Sequence, residues 1–184
     1  MSKPELGRIE PDTKDWTWVL QRPCPECGMA AGEIVVTEVP DLLRGYAERW
    51  REVPARPHAA RRPAPGVWSP LEYGCHVRDV CHVRDVCRVM QGRAMLLLTD
   101  RLPTLPNWDQ DATAIAERYS EQDPATVAVE LVRAADAAAT TFAGVEGEHW
   151  QRTGWRSNGS PFNVQTLAQY LVHDVAHHLH DVRG

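Results

Sequence analysis

The sequence predicts an all-α fold, because four long segments carry apolar residues at helical spacing between signals that start and stop helices. These segments are residues 38–53, 69–99, 123–143 and 163–182. Apolar residues that recur every three or four positions place one side of each helix against a core. Segments rich in Gly and Pro separate the helices. At 184 residues, the chain has the length of one domain with its own core.

The first two helices are predicted by their prolines and their apolar stripes. Pro40 suits the first turn of the first helix, whose stripe consists of Leu42, Leu43, Tyr46, Ala47 and Trp50. Four prolines between residues 54 and 65 then indicate a loop, in which Arg61 and Arg62 are interpreted as a solvated surface pair. The second helix begins with Ser69 as N-cap and Pro70 in the first helical position.

The remaining segments are predicted to form one more long helix, one short helix and the connections between them. Asp123 and Pro124 predict the start of an alanine-rich helix, which is suited to close packing against another helix. A short helix is expected over residues 109–119, after a Pro-rich connection at 102–108. Residues 146–161 are predicted to form a loop or small hairpin, and residues 1–36 to be irregular or weakly structured.

Charge and composition exclude several classes of function. The net charge is -5 and the isoelectric point about 5.9, so the chain has no basic surface for nucleic acid and no polybasic membrane patch. The sequence has no signal peptide and no run of 18 apolar residues, and a cytoplasmic protein is expected. Its five cysteines are then expected to be reduced thiols.

Two of these cysteines, Cys24 and Cys27, have a spacing with chemical meaning. A CxxC motif can be half of a zinc knuckle, a redox pair or a plain structural turn. A second CxxC motif is absent, so a site with four thiolates is not expected. A contribution to a metal site and a redox role both stay open.

The last helix holds the densest chemistry of the chain, with four histidines and two aspartates between residues 173 and 181. Helical phase places Asp174 and His178 at the edge of the apolar face, and His173, His177 and His180 on the opposite side. A carboxylate and an imidazole one turn apart can bind one divalent metal ion, with a third ligand from another helix. The alternatives are a solvated helix terminus and the competing pair His173 and His177.

The candidate for the third ligand is His76, which lies on the apolar stripe of the second helix. That helix contains a tandem repeat, in which residues 75–80 (CHVRDV) are repeated as residues 81–86. Six residues turn an α-helix by a net 240°, about two thirds of a circle, so His76 and His82 cannot both face one site. His76 is the favoured ligand because it lies at a short distance from the start of the helix, and His82 is the alternative.

These motifs resemble the DinB/YfiT-like superfamily. The resemblance rests on the Trp68-Ser69-Pro70 helix start with His76 eight residues after Trp68, and on the closing motif over residues 174–182. In the superfamily, the closing motif consists of a ligand, a histidine ligand four residues on, and a polar residue three further. The first ligand is Glu in the mycothiol-dependent maleylpyruvate isomerase branch and His in many other members. Here it is Asp174, a shorter carboxylate.

The resemblance implies a four-helix bundle over residues 38–184, after an N-terminal extension over residues 1–37. It implies a divalent metal ion held by His76, Asp174 and His178, with Asp181 orienting His178. Zn²⁺ is the expected ion and Ni²⁺ the alternative. The implied activity is that of a metal-dependent S-transferase or isomerase, which uses a low-molecular-weight thiol such as mycothiol on a small electrophile.

The expected partners are therefore small molecules, without nucleic acid or membrane, and a homodimer is compatible with the sequence. The alternative function is a non-catalytic metal-binding or dimerisation protein of the stress response.

Overall fold

The computed structural model describes residues 9, 14–81 and 89–184, and within them it confirms the predicted all-α fold. The helices are α1 (Val39–Glu52), α2 (Pro70–Cys81), α3 (Val89–Thr99), α4 (Gln110–Ala116), α5 (Pro124–Ala143) and α6 (Val164–Asp181). α2 and α3 fall within the segment predicted as one helix. Residues 82–88, and with them most of the second copy of the repeat including His82, lie outside the described residues.

The predicted helix starts are confirmed by their hydrogen bonds. At the start of α2, the Ser69 amide donates to the Glu72 carboxylate at 2.8 Å and the Glu72 amide donates to Ser69 Oγ at 3.2 Å. This reciprocal pair is a capping box. At the start of α5, the Thr126 amide donates to Asp123 Oδ2 at 2.8 Å. Local sequence therefore determines where both helices begin.

The long helices α1, α2, α3, α5 and α6 pack into a bundle. α1 packs against α5 and α6, α2 packs against α5, and α3 packs against α6. The predicted apolar face of α6 is buried, through Val164, Leu167, Ala168, Leu171, Val175 and Leu179. Trp50 of α1 ties two helices together, because its indole N–H donates to the carbonyl of Val175 at 3.0 Å.

A small three-stranded sheet lies at the N-terminal end of α6. It consists of β1 (Thr104–Leu105), β2 (Thr153–Arg156) and β3 (Pro161–Asn163), in that order. The antiparallel pair of β2 and β3 is the small hairpin that the sequence left open as an alternative to a loop. β1 pairs parallel to β2 and lies in the Pro-rich connection, where no strand was expected.

The N-terminal extension is more ordered than the sequence suggested. Within its described part, 3₁₀ helices span Trp16–Leu20, Ala31–Glu33 and Val36–Glu38, and all three contact α6. The segment is irregular, as predicted, since its described helices are short 3₁₀ turns, but residues 14–36 are not weakly structured, because they pack against a second side of α6. None of the described helices has the length and apolar character needed to cross a membrane.

Candidate metal centre

His76, Asp174 and His178 converge at one place between α2 and α6. Each offers one ligand atom, and the three atoms lie within 4.8 Å of one another. His76 Nε2 is 3.8 Å from Asp174 Oδ2, and His178 Nε2 is 3.9 Å from Asp174 Oδ1. The structure thus brings together the three residues that the sequence analysis named. Their role as metal ligands stays a prediction.

His76 is held in place by aromatic rings. Its side chain is 1% exposed. The Trp108 ring stacks on it at a centroid distance of 5.3 Å, and the Trp68 ring lies 5.1 Å away. The indole N–H of Trp108 donates to Thr113 Oγ1 at 2.8 Å, which fixes that ring in turn. The rings exclude water and leave His76 few other orientations.

The unpaired polar atoms of this cluster fit a bound cation. Among the described residues, neither ring nitrogen of His76 has a hydrogen-bond partner, and Asp174 Oδ2 has none either. Burial of polar atoms without partners costs free energy, so such atoms call for an explanation. Two imidazoles and one carboxylate are a donor set of divalent metal sites that keep a position open. A metal ion would satisfy all of these atoms at once.

Burial shifts the protonation of both His76 and Asp174. Burial, together with the nearby His178, holds the pKa of His76 well below its usual range, so its imidazole is neutral. Burial raises the pKa of Asp174, and the neighbouring His178 and His177 offset this effect only in part. A divalent cation would favour the ionised carboxylate. The cluster therefore lacks the positive charge that a metal ion brings.

The Asp181 carboxylate lies against the ring of His178. His178 Nδ1 lies 2.9 Å from Asp181 Oδ2, which leaves Nε2 directed to Asp174. A carboxylate on the far nitrogen is the usual partner of a ligating histidine, since it fixes the ring and its tautomer. Asp181 lies where the sequence analysis expected this partner.

His173 and His177 are not part of a solvated helix terminus, which was one of the alternatives for this segment. Their side chains are 3% and 6% exposed, because the N-terminal extension covers them. His173 Nε2 lies 3.7 Å from Cys27 Sγ, and His177 Nδ1 lies 3.6 Å from Cys24 Sγ. His180 is exposed as expected. Helical phase shows only which side faces the bundle core, so a second covered side gives no periodic signal.

This second cluster could have been found from spacing. Cys24-x₂-Cys27 and His173-x₃-His177 are the two halves of a Cys₂His₂ zinc pattern. In familiar zinc motifs the two halves are close in sequence, whereas Cys27 and His173 are 146 positions apart. The long separation conceals the pattern.

Two arginines that were not among the predicted site residues lie near the centre. Arg93 and Arg156 line a cavity of about 110 Å³ together with His76, Asp174 and Tyr170. Arg93 is 7% exposed, and its Nη2 donates to the Pro106 carbonyl at 2.8 Å. Burial and the charge of Arg156 lower the pKa of Arg93 to about 10, so it stays charged at neutral pH. Its only sequence signal is a charge within the apolar segment 89–98.

A larger cavity of about 540 Å³ opens beside the centre. It shares Trp108, Arg156, Tyr170 and Asp174 with the smaller cavity and is also lined by His178. The N-terminal extension contributes Trp16 and Glu26 to its wall. Volumes between about 300 and 1,000 Å³ are typical of sites for small molecules.

The chain is similar to known proteins at the level of family and fold. Among solved structures, YfiT from Bacillus subtilis matches with a TM-score of 0.54 at 17% identity, over 95% of this chain and 90% of that one. YfiT is described as "a probable metal-dependent hydrolase with an unusual four-helix bundle topology". At this identity the likeness shows the fold alone. No curated protein is detectably similar in sequence. The model of the DinB superfamily matches residues 36–182, and the chain therefore belongs to that superfamily.

Proposed function

We propose that the chain is a metal-dependent enzyme that transfers a small thiol to a small electrophilic substrate carrying an anionic group. His76, Asp174 and His178 are the proposed metal ligands. The observation that carries the proposal is the convergence of buried polar atoms without partners, two on His76 and one on Asp174, at the edge of the smaller cavity. A catalytic metal site keeps an open position for a reactant, which three protein ligands allow.

When bound, Zn²⁺ or a similar ion would lower the pKa of a coordinated thiol, so that the nucleophilic thiolate exists at neutral pH. The chain's own residues bind and orient the reactants. Asp181 keeps His178 Nε2 directed to the centre, and the rings of Trp68 and Trp108 exclude water from His76. Reactants enter through the cavity of about 540 Å³.

The two arginines support an anionic substrate. Neither Arg93 nor Arg156 forms a salt bridge with a carboxylate in the described part of the chain, and Arg93 Nε is buried without a hydrogen-bond partner. A guanidinium recognises a carboxylate by charge and by its fork of N–H donors. Both side chains line the small cavity that also touches His76 and Asp174. A carboxylate bound there would hold the electrophilic carbon close to the centre.

Metal analysis of untagged protein tests the ligands. His178→Ala is expected to lose about one bound ion per chain, because two remaining ligands are too few for a tight site. His149→Ala is the matched control, since His149 is exposed and lies outside both histidine clusters. If His178→Ala retains as much metal as the control, the proposed ligand set is wrong.

Turnover assays then test the reaction. An α,β-unsaturated acid and its neutral amide are offered with mycothiol, bacillithiol or glutathione, and with no thiol. Thiol-dependent turnover that prefers the acid is expected. Arg156→Met should reduce that preference by about tenfold or more, the loss of one charge-assisted contact.

Two other results would replace the proposal. Turnover of an ester or amide substrate without any thiol would indicate a hydrolase, as YfiT is described. No turnover by fully metallated protein would favour the non-catalytic metal-binding alternative.

A further inference from the structure

Cys24, Cys27, His173 and His177 form a second cluster on the other side of α6. The four ligand atoms lie within 4.8 Å of one another. Cys24 Sγ is 3.6 Å from His177 Nδ1, and Cys27 Sγ is 3.7 Å from His173 Nε2. In a tetrahedral zinc site, bonds of about 2.3 Å to sulfur and about 2.0 Å to nitrogen place S and N about 3.5 Å apart. The observed distances are close to that value.

The backbone around the two cysteines forms a tight, hydrogen-bonded turn. The Cys24 amide donates to the Met29 carbonyl at 2.8 Å, and the Gly28 amide donates to the Cys24 carbonyl at 2.8 Å. Gly28 has φ of +76°, a conformation that residues with a side chain rarely adopt. The turn therefore depends on Gly28 directly after Cys27, and it directs both sulfur atoms to α6.

The surroundings of His177 also suit a ligand. Its Nδ1 faces Cys24, while its Nε2 lies 3.5 Å from Glu26 Oε2 and 3.7 Å from Asp181 Oδ1. Carboxylates at the far nitrogen are the common partners of a zinc-bound imidazole. The Trp16 ring covers the cluster, at centroid distances of 5.0 Å from His177 and 6.1 Å from His173.

We propose that Cys24, Cys27, His173 and His177 bind a structural Zn²⁺ ion, separate from the three-ligand centre. Four protein ligands complete a tetrahedron and leave no position for a reactant. Both thiols lose their protons to solvent when the ion binds, and the imidazoles bind as neutral ligands. The ion fixes the N-terminal extension to α6, and with it Trp16 and Glu26 in the wall of the large cavity.

The two interleaved i, i+4 residue pairs of α6 thus contribute to different proposed metal sites. His173 and His177 bind the structural ion with the two cysteines, and His178 belongs with Asp174 to the proposed catalytic centre. Residues 173 and 177 lie one turn apart, as do residues 174 and 178, so one helix can serve both ions.

Cobalt substitution on the untagged full chain tests the structural site. Co²⁺ bound by two thiolates gives an intense thiolate-to-metal charge-transfer band and the visible bands of a tetrahedral ion. These bands are expected in the wild type and in His178→Ala, because His178 is outside the cluster. The thiolate-to-metal charge-transfer band is expected to be lost or strongly reduced in Cys24→Ser and Cys27→Ser, whereas Co²⁺ at the three-ligand centre can still give visible bands. Cys75→Ser is the matched control, since Cys75 is a buried cysteine on α2 in neither cluster.

The same variants separate this proposal from the proposed function. Cys24→Ser should lower the zinc content from about two ions per chain to about one, and His178→Ala should do so by removing the other ion. If the wild type gives no thiolate-to-cobalt band, the structural site does not exist. If only His178→Ala fails to lose metal, the catalytic assignment fails and the structural site stands.

Alkylation mapping uses the wild type alone, so its result does not depend on whether a variant folds. With Zn²⁺ bound, Cys24 and Cys27 are expected to react with iodoacetamide at least tenfold more slowly than after treatment with a chelator. Equal alkylation rates with and without zinc would overturn the proposal. A Cys24–Cys27 disulfide that persists after treatment with reductant and zinc would overturn it as well.

Discussion

Arg61 and Arg62 are adjacent arginines with different surroundings. Arg61 is exposed, as expected for both. The Arg62 side chain is only 14% exposed, and its Nε donates to Glu72 Oε2 at 2.9 Å. Burial by itself raises the pKa of Glu72, but the hydrogen bonds from Arg62 and the Ser69 amide outweigh that effect and lower it. Sequence does not distinguish the two arginines, because the difference comes from the fold around Glu72.

Arg62→Ala is expected to destabilise the protein by roughly 3 kcal/mol at neutral pH, because it leaves the Glu72 carboxylate buried without its partner. Arg61→Ala should change the free energy of unfolding by less than about 0.5 kcal/mol. Urea denaturation of both variants beside the wild type measures these changes. Equal effects of the two substitutions would contradict the assignment.

The effect of Arg62→Ala should depend on pH. The folded-state pKa of Glu72 is lower than its unfolded value of about 4.3, so the pair adds stability above that pH. This stability is lost as the pH falls through the folded-state pKa. The difference between wild type and Arg62→Ala should therefore shrink as the pH falls from about 7 to below about 4.3. Losses that are common to both proteins cancel in this comparison.

At the scale of single elements, α6 shows what a periodic pattern predicts and what it does not. Its apolar face and its approximate bounds follow from spacing and from Asn163, whose side chain accepts from the Thr166 amide at 2.7 Å. The burial of Gln169, at 2% exposed, follows from neither. A polar residue at that position is satisfied only because the N-terminal extension provides two carbonyl groups.

Gln169 joins the extension to α6 independently of any metal ion. Its Nε2 donates to the carbonyls of Gly32 at 3.1 Å and Ile34 at 2.9 Å. Gln169→Ala is expected to lower the free energy of unfolding by roughly 1 to 3 kcal/mol, because both carbonyls lose a donor. Hydrogen exchange over residues 16–38 should become faster. Gln165→Ala is the control, because Gln165 lies one turn earlier on α6 and is half-buried. This substitution should change the exchange rate of residues 16–38 only slightly.

Other elements also differ in how far the local sequence predicts them. The starts of α2 and α5 are encoded within four residues of sequence, at Ser69 and Asp123, and both were predicted. β1 has two residues and pairs with β2 about 50 positions away, so it has no local signal. The cluster of Cys24, Cys27, His173 and His177 depends in the same way on contacts between the two ends of the chain.

At the scale of the whole molecule, the alanine-rich α5 allows close packing of the bundle. Ala134, Ala135, Ala138 and Ala139 are all buried, and α5 packs against α1, α2 and α3. Small side chains at these positions let the helix axes approach closely. The sequence predicted close approach from composition, whereas the neighbours of α5 became visible only in the structure.

Ala138→Leu is expected to destabilise the bundle by about 1 to 3 kcal/mol, because the larger side chain forces the packed helices apart. Ala137→Leu is the matched control, since Ala137 precedes it on α5 and is exposed. Thermal denaturation should show a lower Tm for Ala138→Leu and nearly no change for Ala137→Leu. A Tm for Ala138→Leu equal to that of the control would mean that the helix interface can accommodate the larger side chain without strain.

Asp181 touches both histidine clusters of α6. Its Oδ2 lies 2.9 Å from His178 and its Oδ1 lies 3.7 Å from His177. One carboxylate therefore connects the two proposed ions thermodynamically, and filling one site changes the affinity of the other by a reciprocal factor. Loss of the ion from the cluster of Cys24, Cys27, His173 and His177 would free His177 and alter the electrostatic balance at Asp181. The affinity of the proposed three-ligand centre for its own ion would in this way depend on two sulfur atoms that never meet the substrate.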